Sequence, residues 1–142
     1  MSEPENLITI TEALRQPLLR DFFGFEMIEY DTGSATVAVD RRDELGHMHG
    51  WFQGAVISGI AEFAGAFAAI LSLPLGRVTT TVDQTIKFMG PARGDRLVAR
   101  GRIIKPSKTL IPCAIDVFVV RDGAEHLCAT MLQSNMVAPP AG

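Results

Sequence analysis

The sequence has few of the features that usually announce a function. It carries two cysteines in 142 residues, and both, Cys113 and Cys128, lie in apolar, strand-like surroundings. They read as buried free thiols of a reducing cytoplasm, not as a disulfide framework. No basic run occurs. Thirteen Lys and Arg face 16 Asp and Glu for a net charge of −3, which disfavours nucleic acid as a partner and leaves a small molecule or a protein. The N-terminus, MSEPENLITITEALRQ, lacks the basic stretch of a secretory signal, so the expected location is cytoplasmic. No nucleophile elbow, phosphate loop, dinucleotide fingerprint, HExxH or paired CxxC is present, and no cofactor is implied. His47 with His49, and His126 with Cys128, lack the spacing of a zinc site, so no metal is expected. Without repeats, linkers or low-complexity segments, residues 1–142 are expected to form one domain, with 1–10 and 138–142 flexible.

What the chain does have is Trp51 to Leu71, apolar or small on every side of a helical wheel, with Glu62 as its single charge. At ~1.5 Å per residue this stretch is long enough to cross a bilayer. Glu62 and Gln53 would be costly in lipid, however, the flanks are poor in basic residues, and amphipathic strands follow. A helix enclosed by a soluble protein, with no membrane partner, fits better. Burying a lone carboxylate costs several kcal/mol unless donors or water meet it, so polar groups are expected around Glu62.

In chain order, Thr11 to Phe23 reads as an amphipathic helix capped by Thr11, with Leu14, Leu18 and Phe22 on one stripe, Pro17 inside and Gly24 at its end. Phe25 to Asp31 and Ser34 to Asp40 form a hairpin about Thr32-Gly33. Polar Arg41 to Gly50 is a loop leading into the central helix. Then come RVTTTVDQTIKF, with Val82, Ile86 and Phe88 on one side, and Arg96 to Lys105. Thr109 to Arg121 and Glu125 to Val137 follow, joined by Asp122-Gly123. Four strands at meander spacing after an all-apolar helix predict an α+β domain, a curved antiparallel sheet wrapped round one long central helix.

The run HMHGWFQGAVISGIAEFAG, followed by TTTVDQTIKFMGPARGD, resembles the phenylacetate-pathway type of hotdog-fold acyl-CoA thioesterase. In that family an Asn or Gln on a loop precedes His-Gly-Gly at the helix start, and Asp or Glu stands nine residues after that His. Gln53-Gly54 and Glu62 reproduce the spacing, Gly50 matches a family glycine, and His47 falls at the amide position; the likeness spans roughly residues 20 to 137. Gln53 and His47 exchange the family's residue types, and Ala55 replaces its second glycine.

The resemblance implies hydrolysis of a medium-chain or aromatic acyl-CoA by a homodimer or homotetramer. Glu62 would be the base or nucleophile, and Gly54, Gln53 and His47 would shape the carbonyl site. Thr81 stands on the strand where the family carries a water-positioning Ser or Thr. Physical reasoning supports a shared site. Free N–H groups at Gly54 can hold an oxyanion, whereas Glu62, eight residues on, lies ~12 Å along the same axis. A second chain must therefore supply the carboxylate. The coenzyme's phosphates are assigned to the basic turns at Arg93, Arg96, Lys105 and Lys108, and the acyl group to the neighbourhood of Phe63, Phe67 and Trp51.

Plainer readings stand beside these. Gly50 and Gly54 can be turn glycines, Gln53 and His47 can cap the helix or bond backbone, the basic turns can serve solubility, and Asp83, taken to share a face with Thr81, can pair with Lys87. The alternative function is a non-catalytic binder of acyl-CoA or another apolar ligand on the same fold.

Overall fold

The computed structural model describes residues 3–140. Its strands, β1 (Glu26–Asp31), β2 (Ser34–Asp40), β5 (Thr79–Phe88), β6 (Arg96–Ile103), β7 (Leu110–Arg121) and β8 (Ala124–Val137), make one antiparallel sheet in the order β1-β2-β6-β7-β8-β5. Two-residue strands β3 (Gly46–His47) and β4 (Trp51–Phe52) form a small hairpin; β3 falls in the expected loop, but β4 occupies the first residues of the stretch expected to be helical, so the helix starts only at Gly54. The long helix α2 (Gly54–Leu71) lies across the inner face of the curved sheet, which gives the α+β hotdog architecture that the sequence predicts.

The core follows from period. Alternate residues of β2, β6, β7 and β8, among them Val37, Leu97, Val117 and Met131, point inward to Ile60, Ala64, Phe67 and Leu71 on one side of α2. The approach is close because two glycines allow it. A Cβ on Gly101 of β6 would stand 2.5 Å from the Ala64 carbonyl oxygen, and one on Gly65 would strike the Gln133 side chain. These contacts fix the helix's height and phase on the sheet.

The opposite side of α2 is different. Gly54, Ala55, Ser58, Gly59, Glu62, Phe63 and Ala66 are partly or fully exposed. Beside them β5 is an edge strand whose residues are all exposed or half-buried. An edge strand next to a bare helix face is an open template for another chain.

Several local expectations are corrected. The first helix, α1 (Leu7–Ala13), begins after Asn6, so Thr11 does not cap it; the Thr11 hydroxyl donates to the Leu7 carbonyl one turn back. After Pro17 the chain takes a π-helical turn at Leu18–Phe23, closed by left-handed Gly24. Leu18 and Phe22 face outward, while Ile10 and Leu19 are buried. Residues 3–10, expected to be flexible, are anchored by fully buried Asn6. Its side chain donates to the carbonyls of Ile70 (3.1 Å) and Arg77 (2.6 Å) and accepts from Gly76 N–H (3.0 Å). At the other end Ala138 is tied to Val78 and Arg77; residues 1–2 and 141–142 of the expected flexible ends lie outside the described residues.

The meander holds for β6-β7-β8 only, because β5 crosses to pair with β8. A bulge at Val82 opposes Thr81 to Asn135 and Asp83 to Ser134, so Thr81 faces the core and Asp83 the outside. The predicted hairpin turns stand where expected, and Asp122 and Gly123 both take positive φ, as a primed turn requires.

Candidate functional site

The start of α2 is an open donor end. Gln53 precedes it in extended conformation, and its main-chain N–H is used by the Leu45 carbonyl at 3.0 Å. Val56 and Ile57 N–H turn back to the Gln53 carbonyl. The N–H groups of Gly54 and Ala55 meet no acceptor among the described residues, which leaves two aligned donors at the positive end of an 18-residue helix. A Cβ at Gly54 would touch only the Phe88 ring, at 3.7 Å, so packing within the chain does not exclude a side chain there. Its absence keeps the donors accessible.

The loop before the helix is held in shape by His49 and Gly50, both at positive φ (67° and 75°). For His49 that conformation is uncommon and strained. Gln53 does not cap the helix; its Nε2 donates to the Gly46 carbonyl at 3.4 Å. Exposed His47 packs its ring 5.6 Å from the indole of Trp51, and its carbonyl accepts from Arg41. His47 thus stands on the β3-β4 hairpin and Gln53 between that hairpin and the helix start.

Glu62 lies on the bare face of α2, half-exposed, and its carboxylate has no hydrogen-bond or ion-pair partner among the described residues. Polar groups stand next to its backbone. Gln133, almost fully buried, donates to the Glu62 carbonyl at 3.2 Å and accepts from fully buried Asn135 at 3.0 Å. The Thr81 hydroxyl approaches the same two amides, 3.4 Å from Asn135 Oδ1 and 3.5 Å from Gln133 Nε2. Sequence reading missed both amides, although they continue the inward series Ala129, Met131 on β8 and so belong on the core face.

An aromatic file flanks Glu62. Phe22, Phe23, Phe25, Phe63 and Phe67 follow one another with ring centroids 4.6–5.9 Å apart, and the Phe23 ring lies 3.6 Å from where a Cβ on Gly59 would stand. Arg42 holds this turn by donating to the carbonyls of Phe22 and Phe23. Phe63 therefore belongs to the site's surroundings, Phe67 is core, and Trp51 belongs to a separate cavity at the sheet end.

The basic residues do not form one group. Arg96 is engaged by Asp40 (2.6 Å) and Glu26 (3.1 Å) on the outer face of the sheet. Lys105 and Lys108 follow β6 whereas Arg93 precedes it, so eight residues of strand, roughly 26 Å at ~3.3 Å each, separate them within one chain. Gly50 and Arg93 line one cavity together with Arg41 and Arg121. Cys113 and Cys128 are buried, and burial pushes both thiols up to about 11, which keeps them protonated and poorly nucleophilic.

The thioesterase superfamily model matches residues 45–125, more than half of the chain, and the chain belongs to that family. Its fold is the hotdog fold of PaaI-like proteins. A thioesterase family protein of Silicibacter pomeroyi is 25% identical, with 94% of this chain and 96% of that one covered and a TM-score of 0.86. A Haemophilus influenzae thioesterase is 17% identical over 100% of this chain and 98% of its own, with a TM-score of 0.83. The E. coli PaaI protein of the phenylacetic acid degradation operon is 19% identical over 94% and 92%, with a TM-score of 0.79. No curated protein sequence matches the chain.

Proposed function

We propose that the protein hydrolyses the thioester of an acyl-CoA in the cytoplasm, in sites shared between two copies of the chain. The observation that carries this reading is the exposure, on one bare face of α2, of two catalytic halves that cannot meet: the open N–H groups at Gly54 and Ala55, and the partnerless carboxylate of Glu62. They are ~12 Å apart along the axis. Packing two such faces antiparallel sets each helix start beside the other chain's Glu62 and makes two equivalent sites. Ala55, Ser58, Gly59 and Ala66 are small enough for close helix approach, and the free edge of β5 can extend the pairing.

In each site the thioester carbonyl oxygen points at the helix start, where Gly54 N–H and Ala55 N–H stabilise the negative charge that forms on it. Glu62 of the partner either removes a proton from an attacking water, passing it to the coenzyme A thiolate as the C–S bond breaks, or attacks the carbonyl carbon itself; in the second route the thiolate leaves and takes its proton from solvent, and water then cleaves the acyl–Glu62 anhydride to release the acid and free the carboxylate. In this reading Thr81, whose hydroxyl contacts Gln133 and Asn135, orients the water. Gln53 and His47 shape the entrance. No cofactor enters beyond the coenzyme carried by the substrate. Phe22, Phe23 and Phe63 offer the acyl group an apolar wall, which suits a medium-chain or aromatic group, and activity confined to short polar acyl groups would contradict that choice.

The test is thiol release from a panel of acyl-CoAs. Wild type turns over at least one, and Glu62→Gln loses ~10² to 10⁴ of that rate while keeping its fold and oligomeric state. Full activity in the variant sinks the assignment. Saturable binding with no thiol release by wild type selects the non-catalytic binder instead.

A further inference from the structure

The bare face of α2 is bounded on one side by an aromatic corner. Gly59 stands about one helical turn before Glu62, and the Phe23 ring rests 3.6 Å from where a Cβ on Gly59 would be. The space between ring and helix backbone therefore admits one methyl group and no more. Phe23 is stacked on Phe25, with centroids 4.6 Å apart and planes 11° from parallel, and it meets Phe22 edge-on at 5.1 Å. Phe63, the residue after Glu62, meets Phe25 edge-on at 5.9 Å. The rings thus form one apolar wall, which begins beside Glu62 and ends on Gly59.

The wall is pinned in place. Phe22 and Phe23 belong to the π-helical turn Leu18–Phe23, a conformation rare in general and frequent at functional sites. Inside the turn Leu19 is buried, and its carbonyl accepts both Gly24 N–H (2.9 Å) and Phe25 N–H (3.0 Å). The carbonyls that close a helical turn have no partner within it. Arg42, just after β2, supplies one guanidinium fork to two of them, those of Phe22 and Phe23, and is itself held by Glu44 at 3.1 Å. Gly24 takes φ 74°, and a Cβ there would stand 2.9 Å from Arg42 Nη1, so the fork fits because that residue is glycine. Two large side chains at the corner stay more than half exposed, Leu18 at 53% and Phe22 at 58%, which marks a surface for an apolar group and not core.

In the shared site the acyl carbon lies beside the Glu62 carboxylate. The acyl chain then starts at Phe63 and, following the wall, runs into the Phe23 ring. We propose that Phe23, seated over Gly59, is the end stop that sets the longest acyl group the protein accepts, and that Arg42 is the residue that positions it. The proposal rests on the acyl-CoA reading above and assigns a residue to a limit which that reading leaves open.

The test is the profile of kcat/KM over straight-chain acyl-CoAs from butanoyl to palmitoyl, read within each protein as the ratio of longer to shorter substrates. Wild type shows an upper cut-off. Phe23→Leu keeps an apolar group on Phe25 but shortens the wall, so it moves the cut-off to longer chains. Each methylene gained adds about fourfold, the ~0.8 kcal/mol of one buried CH₂. Phe23→Trp moves the cut-off to shorter chains. Arg42→Lys keeps the charge but cannot fork between two carbonyls, and the decline beyond the cut-off becomes shallower. Phe118→Leu, which removes a ring under Arg100 on the outer face of the sheet, leaves the profile as in wild type. A profile that ignores both Phe23 substitutions, or that Phe118→Leu shifts as far, overturns the stop; an Arg42→Lys profile as sharp as wild type overturns the positioning role. S-alkyl-CoA thioethers, in which a methylene replaces the carbonyl, cannot be hydrolysed and separate the stop from the chemistry. Their calorimetric affinities should show the same cut-off and the same shifts. A protein that binds them in this way yet releases no thiol refutes hydrolysis alone. An active protein whose profile ignores Phe23 refutes the stop alone, and neither turnover nor binding of any member of the two series overturns both.

Discussion

The side-chain amide of Gln133 on β8 donates to the main-chain carbonyl of Glu62, 71 residues away, at 3.2 Å. The contact fixes the one charged residue of α2 relative to the edge of the sheet where Thr81 stands. Gln133→Leu keeps the volume but strips Asn135 of its acceptor, so stability should fall by about 1–3 kcal/mol. If the amide also positions the site, kcat falls about tenfold with KM nearly unchanged, which denaturant titration and steady-state kinetics read separately. A loss of stability with wild-type kcat would make the amide purely structural.

Much of this arrangement was legible in sequence, for reasons that differ by element. The all-apolar wheel around Glu62 requires a central helix, and Thr32-Gly33 and Asp122-Gly123 require hairpins, because period and turn chemistry act locally. Gly54 and Glu62 lie in that one helix, so their separation along it follows from the same local period. What failed depends on distant pairing. The place of β5 beside β8, and the Val82 bulge that turns Asp83 outward, are set by tertiary register. Arg41 and Arg121 meet Arg93 only because β6 lies between β2 and β7. Asn6 looked like part of a free terminus, yet the unsatisfied groups at the C-terminal end of α2 give it a buried role.

The buried thiols give the protein an alkaline weakness. Burial raises Cys113 and Cys128 from 9.0 to about 11 in the fold, although Asn135 partly offsets this at Cys113. The unfolded chain therefore releases these protons first. Their stabilising contribution is complete below about pH 9 and is lost as pH rises toward about 11, because the folded state then binds more protons than the unfolded one. Urea titrations across this range should show falling stability in wild type and a shallower fall in Cys113→Ala with Cys128→Ala. An identical slope in the two proteins contradicts the assignment.

The bare face of α2 predicts assembly. Ser58→Arg places a long cation among the small residues where two helices are proposed to pack, and should convert the oligomer to monomer while reducing thioester hydrolysis about 10²-fold or more. Light scattering after size exclusion reads the first effect and thiol release the second. A fully active monomer would contradict a shared site.

The most direct measurement is complementation between two disabled chains. Glu62→Gln lacks the carboxylate, and Gly54→Val obstructs the donor end; each alone is inactive. In a mixed dimer one site receives both intact halves and the other receives both defects. Random association of equal amounts, by co-expression or by unfolding and refolding together, should restore about a quarter of the wild-type activity. A mixture that stays as inactive as either parent, with mixed dimers shown to be present, would mean that each chain supplies both groups to its own site and would contradict the account.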